Sequence, residues 1–148
     1  MEKEDYLKMI APCGLVCYTC TMAKDGVIRE HSLALLNLLE NFDTFAEKFA
    51  DYEPRLRNYA SFNDMLNLFA EASCEGCRGG HCTYPGCVVQ PCTHQKGVDF
   101  CFQCGEFPCM KVDFDRGLKL KWLTANRQMK RIGVPAYFEE YKHKSHYT

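Results

Sequence analysis

The chain has 148 residues, of which 47% are hydrophobic and 25% are charged. These values are typical of one folded domain with a core of its own and exclude a disordered chain. The net charge is −1, but residues 1–110 carry nine basic and fifteen acidic residues, whereas residues 111–148 carry nine and four. We interpret the basic residues of the C-terminal part as solvated helix faces. The chain as a whole is not basic, so a nucleic-acid partner is not expected.

The N-terminus gives no sign of a targeting segment. The acidic start, Met1 to Asp5, is not followed by an apolar run of signal-peptide length. No apolar run approaches the ~20 residues that a membrane-spanning helix needs. We therefore expect a cytoplasmic protein without a membrane partner, in a compartment where cysteines serve metal or redox chemistry and disulfides do not persist.

Apolar periodicity predicts the first helices. A short lead-in helix is expected within residues 1–10, and one long helix or two within residues 27–50. The apolar stripe of the second segment repeats at steps of three or four: Val27, His31, Leu35, Leu38, Phe42, Phe45 and Phe49. We expect His31 to be a core or boundary residue and Asp43 to start the second helix of this segment.

A further helix is predicted within residues 55–72, where Ser61 and Asp64 resemble a capping box. We expect its stripe to be core: Phe62, Met65, Leu66 and Phe69. After the cysteine-rich segment, periodicity returns over residues 111–131. A short last helix is predicted from Pro135 to Lys142, followed by a loose polar tail.

These elements predict a mainly α protein with a single domain over residues 1–148. Its parts are an N-terminal cysteine loop (11–20), helices (27–72), a cysteine-rich metal-stabilised segment of zinc-knuckle type (74–109) and C-terminal helices (111–142). We expect small β-hairpins within the cysteine-rich segment. Its glycines, prolines and lack of periodicity leave too little apolar surface to hold its shape, and a structural zinc site can contribute ~10 kcal/mol or more.

Eight of the eleven cysteines lie between residues 74 and 109. Three pairs are separated by two residues, the spacing with which one turn presents two sulfurs to a single ion. These pairs are Cys17 and Cys20, Cys74 and Cys77, and Cys101 and Cys104. The odd number of cysteines argues against a complete disulfide framework, so the pattern predicts metal binding.

Because four thiolates close a structural zinc site, the cysteines suffice for two ions. One arrangement consistent with the spacing uses Cys74, Cys77, Cys101 and Cys104. The second combines Cys17 and Cys20 with two of the later cysteines: Cys87, Cys92 and Cys109. Cys82 is then spare, and His81 and His94 are alternative ligands.

The order of these motifs resembles a prokaryotic family of small cysteine-rich proteins of unknown function. The motifs are Ala-Pro-Cys13-Gly-Leu-Val-Cys17-Tyr-Thr-Cys20, Cys74-Glu-Gly-Cys77-Arg, Cys87-Val-Val-Gln-Pro-Cys92, Cys101-Phe-Gln-Cys104 and Glu-Phe-Pro-Cys109. The resemblance extends to the stretch from Arg131 to Val134. It implies zinc binding by ten pattern cysteines: Cys13, Cys17, Cys20, Cys74, Cys77, Cys87, Cys92, Cys101, Cys104 and Cys109. It implies no reaction.

Three functions fit these residues. The one we favour is a non-enzymatic protein in which zinc is structural and the surface so built binds a protein partner, because closed four-cysteine sites leave no open position for catalysis. The second is an iron–sulfur redox protein, since clusters also take four thiolates. The third is an enzyme using a metal-proximal thiol, Cys13 or Cys82, assisted by Glu106 or His94. We predict no catalytic residue for the favoured function.

Overall fold

A computed structural model of the chain describes residues 1–80 and 84–148. The described part is mainly helical, as the sequence predicts. Its α-helices are α1 (Lys3–Met9), α2 (Val27–Leu38), α3 (Phe42–Phe49), α4 (Tyr59–Ala70), α5 (Val89–Gln95), α6 (Arg116–Ile132) and α7 (Val134–Tyr141). Short 3-10 turns cover Cys17–Thr19, Pro54–Asn58, Cys77–Gly79 and Cys101–Gln103. No helix in the described ranges is both long and apolar enough to cross a membrane.

The expected β-hairpins are absent from residues 1–80 and 84–148. Extended pairing there is limited to two isolated bridges, Ile10 with Val16 and Ala23 with Cys74. The cysteine pairs sit instead at tight turns whose backbone bonds close within the turn. In two of them the amide of the second cysteine donates to the carbonyl of the first, Cys20 to Cys17 and Cys104 to Cys101, and in the turn that follows Cys77 the Gly80 amide donates to the Cys77 carbonyl. The backbone N–H and C=O groups that form these bonds are paired within the turns, so they are not available to pair two strands of a hairpin.

Of the two alternatives for residues 27–50, one long helix or two, the structure has two, α2 and α3, but details of this helical region differ from expectation. Asn41, with φ of 63°, occupies the left-handed region before α3 begins at Phe42, and Asp43 lies in the first helical turn. The capping-box prediction is wrong, because Ser61 and Asp64 lie inside α4. A 3-10 turn starting at Pro54 leads directly into α4, so that helix starts earlier than the cap signal indicated.

The predicted core stripe of α2–α4 is partly wrong. His31 is exposed, and the buried residue of α2 is Ser32, whose hydroxyl donates to the carbonyl of Ile28. In α4, Leu66 is buried as expected, whereas Phe62 is 48% exposed. The physical reason is that α2 packs chiefly on α4, and this small unit is too thin to cover all of its apolar faces.

Helix α6 is the common support of both core clusters. Ala125 and Met129 pack in one cluster with Ile10 and Phe100, and Trp122 packs in the other. The second cluster also contains the buried Cys13 and residues flanking the other cysteines. The cysteine-rich segment also contains a helix that periodicity did not predict, α5, which carries Cys92. The core therefore places both cysteine regions against one face of α6.

The C-terminal tail is not loose, contrary to expectation. The Nδ1 atom of His146 lies 2.9 Å from the carbonyl oxygen of Val16, and the Tyr147 hydroxyl accepts a hydrogen bond of 3.0 Å from the Thr21 amide. The tail therefore folds back onto the N-terminal cysteine loop. The polar composition of the tail predicts a frayed end, but its polar groups form specific hydrogen bonds with the N-terminal cysteine loop.

Candidate metal centre

The described cysteines line two separate cavities. The larger, of about 620 Å³, has six of them in its wall: Cys13, Cys17, Cys20, Cys74, Cys77 and Cys87. The smaller, of about 30 Å³, has the other four: Cys92, Cys101, Cys104 and Cys109. All ten pattern cysteines are thereby placed. His81 and Cys82 lie outside the described residues, so the roles predicted for them stay predictions.

Two cysteine turns meet at the large cavity because the backbone joins them. The Lys24 amide donates to the Cys74 carbonyl, and the Cys74 amide donates to the Met22 carbonyl, both at 2.9 Å. This short parallel pairing holds the turn of residues 17–20 beside that of residues 74–77. Within the second turn the Gly76 amide lies 3.4 Å from the Cys74 sulfur, a donor directed at sulfur of the kind found around metal thiolates.

The small cavity is built by α5, the turn of residues 101–104, and the chain that follows it. Cys92 lies on α5, and the Glu106 amide donates to the Cys104 sulfur at 3.4 Å. Lys96 and Lys111 bind the Glu106 carboxylate at 2.6 and 3.0 Å. These contacts fix the segment after the turn, and the four cysteines line a space of about 30 Å³ beside it.

The two cavities divide the cysteines differently from the arrangement that spacing suggested. Cys74 and Cys77 are on the large cavity, whereas Cys101 and Cys104 are on the small one. The reason is the pairing of Ala23 with Cys74, a long-range contact that brings the first two turns together. Separation along the chain carries no information about such a bridge.

Trp122 provides a polar atom that requires an acceptor. Its ring is 1% exposed, and its Nε1 is buried without a hydrogen-bond acceptor among the described residues. The indole N–H is near enough to Cys101 to oppose part of the rise in that thiol's pKa to about 11, which burial causes. A buried N–H without an acceptor destabilises the folded state by ~1–3 kcal/mol. A thiolate at Cys101 would accept this hydrogen bond better than the neutral thiol does.

Burial also raises the pKa of two cysteines in the large cavity. The pKa of Cys13 rises to about 12 and that of Cys17 to about 11, and in both cases removal from water is the largest cause. Neighbouring thiols raise the pKa further, since a second nearby thiolate is unfavourable. Without a cation the Cys13 and Cys17 thiols are therefore neutral at neutral pH, and a soft divalent cation is the partner that would compensate several thiolates at once.

Arg78 connects the two cysteine regions. Its guanidinium donates to the carbonyl oxygens of Leu7 at 2.6 Å, Ile10 and Asp99, and stacks on Phe100 with 5.0 Å to the ring centroid. Arg78 follows Cys77 directly, whereas Phe100 precedes Cys101. One side chain thus anchors the turn of the large cavity to the backbone that leads into the turn of the small one.

The thiols line the cavities without converging on a point. Among residues 1–80 and 84–148, no three cysteine, histidine, aspartate or glutamate side chains form a ready group for one metal ion. The donor set nevertheless fits a thiophilic cation: cysteines along each cavity wall, amides directed at sulfur, and an indole N–H for which the described residues supply no acceptor. Side-chain rotation toward a common centre is the change that metal binding requires.

The groups proposed for thiol catalysis that the structure describes, Cys13, His94 and Glu106, are poorly placed for it, and Cys82 lies outside the described residues. His94 is exposed and lines neither cavity. Its companion Glu106 is held by Lys96 and Lys111, which lower the pKa of the carboxyl to about 2. Glu106 therefore stays ionised at neutral pH and does not supply a proton. Cys13 is buried at 7% exposure, facing other thiols.

Several supporting residues were missed by sequence reasoning, namely Arg78, Asn126, Trp122, His146 and Tyr147. The signal for Arg78 was its position directly after a cysteine pair. The signal on α6 was the spacing of Trp122, Asn126 and Met129 on one helical face. The tail residues gave no signal, because their contacts lie more than a hundred positions away along the chain.

A family model described as protein of unknown function, DUF3795, matches residues 9–114. The matched region contains every cysteine of the chain, and residues 115–148, with α6, α7 and the tail, follow it. No curated protein and no solved structure matches the chain.

Proposed function

The chain belongs to the DUF3795 family of unknown function, and we propose that it is a zinc protein in which two ions shape a surface for binding another protein. The resemblance inferred from the cysteine motifs is confirmed by this membership, which carries no statement about zinc. The metal, the ligand sets and the binding role are therefore our own proposal.

The observation that carries the zinc proposal is the small cavity. Four cysteines line a space of about 30 Å³, and among the described residues the Trp122 N–H, which lies beside Cys101, has no hydrogen-bond acceptor. A zinc-bound thiolate is a stronger acceptor than a thiol and would satisfy that donor. We assign Cys92, Cys101, Cys104 and Cys109 to this ion. Four sulfurs close its coordination, so its role is structural.

The second ion belongs to the large cavity. We assign to it the cysteines of the two turns that the backbone holds together: Cys17, Cys20, Cys74 and Cys77. Cys13 and Cys87 line the same cavity and stay predicted metal-binding residues. The ion would compensate the negative charge of these thiolates, including that of Cys17, whose thiol burial otherwise keeps protonated.

Metal content of cysteine variants tests these assignments. Protein purified without air should contain about two zinc ions per chain, and Cys104→Ala and Cys20→Ala should each lose about one. Cys82→Ala is the matched control and should keep both. Zinc-free protein, or loss of both ions from Cys82→Ala, would overturn the proposal.

An iron–sulfur cluster is the second candidate, and the large cavity is the observation that favours it. Six cysteines around about 620 Å³ offer more thiols and more space than one tetrahedral ion uses. This alternative predicts a brown anaerobic preparation with iron and acid-labile sulfide, whose colour is lost in Cys20→Ala and kept in Cys104→Ala. A colourless preparation with stoichiometric zinc would eliminate it.

The binding role is proposed for the surface of α2–α4. Aromatic rings follow one another across it with centroid distances of 4.3–6.3 Å: Phe62, Tyr59, Phe42, Phe45, Phe49 and Tyr52. Of these rings Tyr52 is 87% and Phe45 is 48% exposed, and Leu38, at the end of α2, is 79% exposed. Continuous exposed apolar surface marks interaction sites. Residues 27–72 carry eight acidic and four basic residues, so the partner we propose presents apolar and basic groups.

A basic amphipathic helical peptide is a suitable probe for this surface, with its charge-reversed counterpart as the control ligand. We expect the basic peptide to bind more tightly, and a Leu38→Ser, Phe45→Ser variant to lose that binding. Leu120→Ser, at a 65% exposed position on α6, should leave it unchanged. Equal binding of both peptides, or a dimer of the protein that buries this surface, would contradict the proposal.

The expected cytoplasmic location also stays a prediction. It is consistent with the chemistry proposed here, because thiolate sites for zinc require reduced cysteines.

A further inference from the structure

The C-terminal strap, residues 142–148, lies across the rim of the large cavity. His146 is one of the residues lining that cavity, and its Nδ1 lies 2.9 Å from the Val16 carbonyl oxygen. The next residue, Tyr147, contacts Cys20 and Thr21 at the end of the turn of residues 17–20. The strap therefore contacts the backbone before this turn and the side chain at its end.

The Tyr147 hydroxyl has three partners around Cys20. It accepts from the Thr21 amide at 3.0 Å, shares a 2.7 Å hydrogen bond with the Thr21 hydroxyl, and donates to the Cys20 sulfur at 3.8 Å. The single phenolic proton suffices for this arrangement if the Thr21 hydroxyl donates to Tyr147 and Tyr147 donates to sulfur. Cys20 is thus covered by a group from the far end of the chain.

These contacts are suited to reversible closure. Tyr147 is 60% exposed, and its hydrogen bonds form at the surface, where their net contribution is modest. The His146 and Tyr147 rings touch each other at 5.1 Å between centroids, so the two anchors move together. The strap also lies beyond residues 9–114, the part of the chain that matches the family.

We propose that the C-terminal strap closes the large cavity at Cys20 and limits access of thiol-reactive and chelating molecules to its sulfurs. In the closed state the Tyr147 hydroxyl blocks approach to Cys20 and His146 occupies the rim. Release of both anchors opens that side of the cavity and leaves the small cavity unaffected, because no residue of the strap lines it. The inference concerns access to a thiol and does not depend on which metal the cavity holds.

Pulse labelling of the full-length protein with N-ethylmaleimide tests the strap, with each cysteine quantified by peptide mass spectrometry. Tyr147→Phe removes the hydroxyl and should raise the labelling rate of Cys20 about three- to tenfold, the effect of one or two hydrogen bonds of ordinary strength. The rate at Cys104, in the small cavity, should not change. Tyr52→Phe, at an 87% exposed position on the helical surface, is the matched control and should behave as the wild type.

A second variant separates closure from a single hydrogen bond. His146→Ala should also accelerate labelling of Cys20, whereas His143→Ala, in the same tail but exposed, should not. Equal Cys20 rates in wild type, Tyr147→Phe and His146→Ala would overturn the proposal. Acceleration shared equally by Cys104 would report general loosening and would also count against it. Metal content of the same samples tests the zinc proposal separately, so either can fail alone.

Discussion

The side-chain amide of Asn126 donates a hydrogen bond of 2.8 Å to the carbonyl oxygen of Cys13, 113 positions earlier in the chain. Its Oδ1 accepts from the Phe102 amide at 3.0 Å. Asn126 has no exposed surface. A single buried amide on α6 therefore satisfies one backbone group beside the large cavity and one in the turn of the small cavity.

Replacing Asn126 by alanine should lower the free energy of unfolding by about 3 kcal/mol, because a buried carbonyl and a partly buried amide lose their partners at ~1–3 kcal/mol each. Urea unfolding measures the change. Asn37→Ala, at an exposed position of α2, is the control and should stay within about 0.5 kcal/mol of the wild type. A loss below about 1 kcal/mol for Asn126→Ala would show that water replaces the amide.

Gly14 should tolerate no side chain. Its φ is +93°, and a Cβ there would lie 2.7 Å from the Ala125 Cβ, so alanine adds both backbone strain and a clash with α6. We expect Gly14→Ala to cost about 3 kcal/mol, compared with about 1 kcal/mol for Gly97→Ala, which has φ of +63° and open space. Both variants introduce backbone strain, so the difference between their losses in thermal unfolding measures the effect of the clash with α6. Equal losses would mean that α6 moves aside freely.

Trp122→Phe should weaken metal binding at the small cavity at least about tenfold, because the N–H that faces Cys101 is removed and hydrogen bonds to charged acceptors contribute ~1.5–3 kcal/mol. Competition with a chromophoric chelator measures this affinity. Phe107→Leu is the control, since Phe107 packs on Trp122 at 5.1 Å between ring centroids but carries no donor. If both variants weaken binding equally, packing and not the N–H determines the affinity.

Arg78→Lys should destabilise the protein by about 2 kcal/mol although the charge is kept. The ammonium group of lysine cannot reach the three carbonyls that the planar guanidinium joins, nor stack in the same way on Phe100. Arg131→Lys, at an exposed position of α6, should be neutral in the same unfolding experiment. A neutral Arg78→Lys would indicate that charge alone is required.

The metal-free protein should lose stability as the pH rises above about 9. The pKa of Cys13 is raised to about 12 and that of Cys17 and Cys101 to about 11, from an ordinary value of 9.0, mainly by burial. A thiol whose pKa is raised in the folded state contributes to the free energy of unfolding. This contribution is fully present below pH 9 and is lost as the pH rises toward 11 and 12. Thermal unfolding in chelator and reductant, from pH 8 to 11, measures the slope.

Cys13→Ala should flatten that alkaline slope, because it removes the thiol with the largest rise in pKa. Bound metal should also reduce the dependence of stability on alkaline pH. In the metal-bound protein the cysteines are already thiolates, and the cation compensates their charge. A slope that is the same in Cys13→Ala and in wild type would place the alkaline sensitivity elsewhere in the chain.

The sequence by itself determined the helices and the turns that carry the cysteines, because both depend on neighbours along the chain. Apolar spacing located the helices within a few residues, and the two-residue separation marked the cysteine turns. The same signals misplaced what depends on packing: the exposed His31, the start of α4 and the unpredicted α5.

Only the tertiary structure decided which cysteines share a cavity, because that depends on contacts between distant residues. The pairing of Ala23 with Cys74 joins the first two cysteine turns, and Asn126 and Arg78 fix the third beside them. The tail was decided in the same way, since Tyr147 reaches Cys20 across 127 positions. Periodicity and spacing record only local geometry, whereas these hydrogen bonds exist only once the chain has closed upon itself.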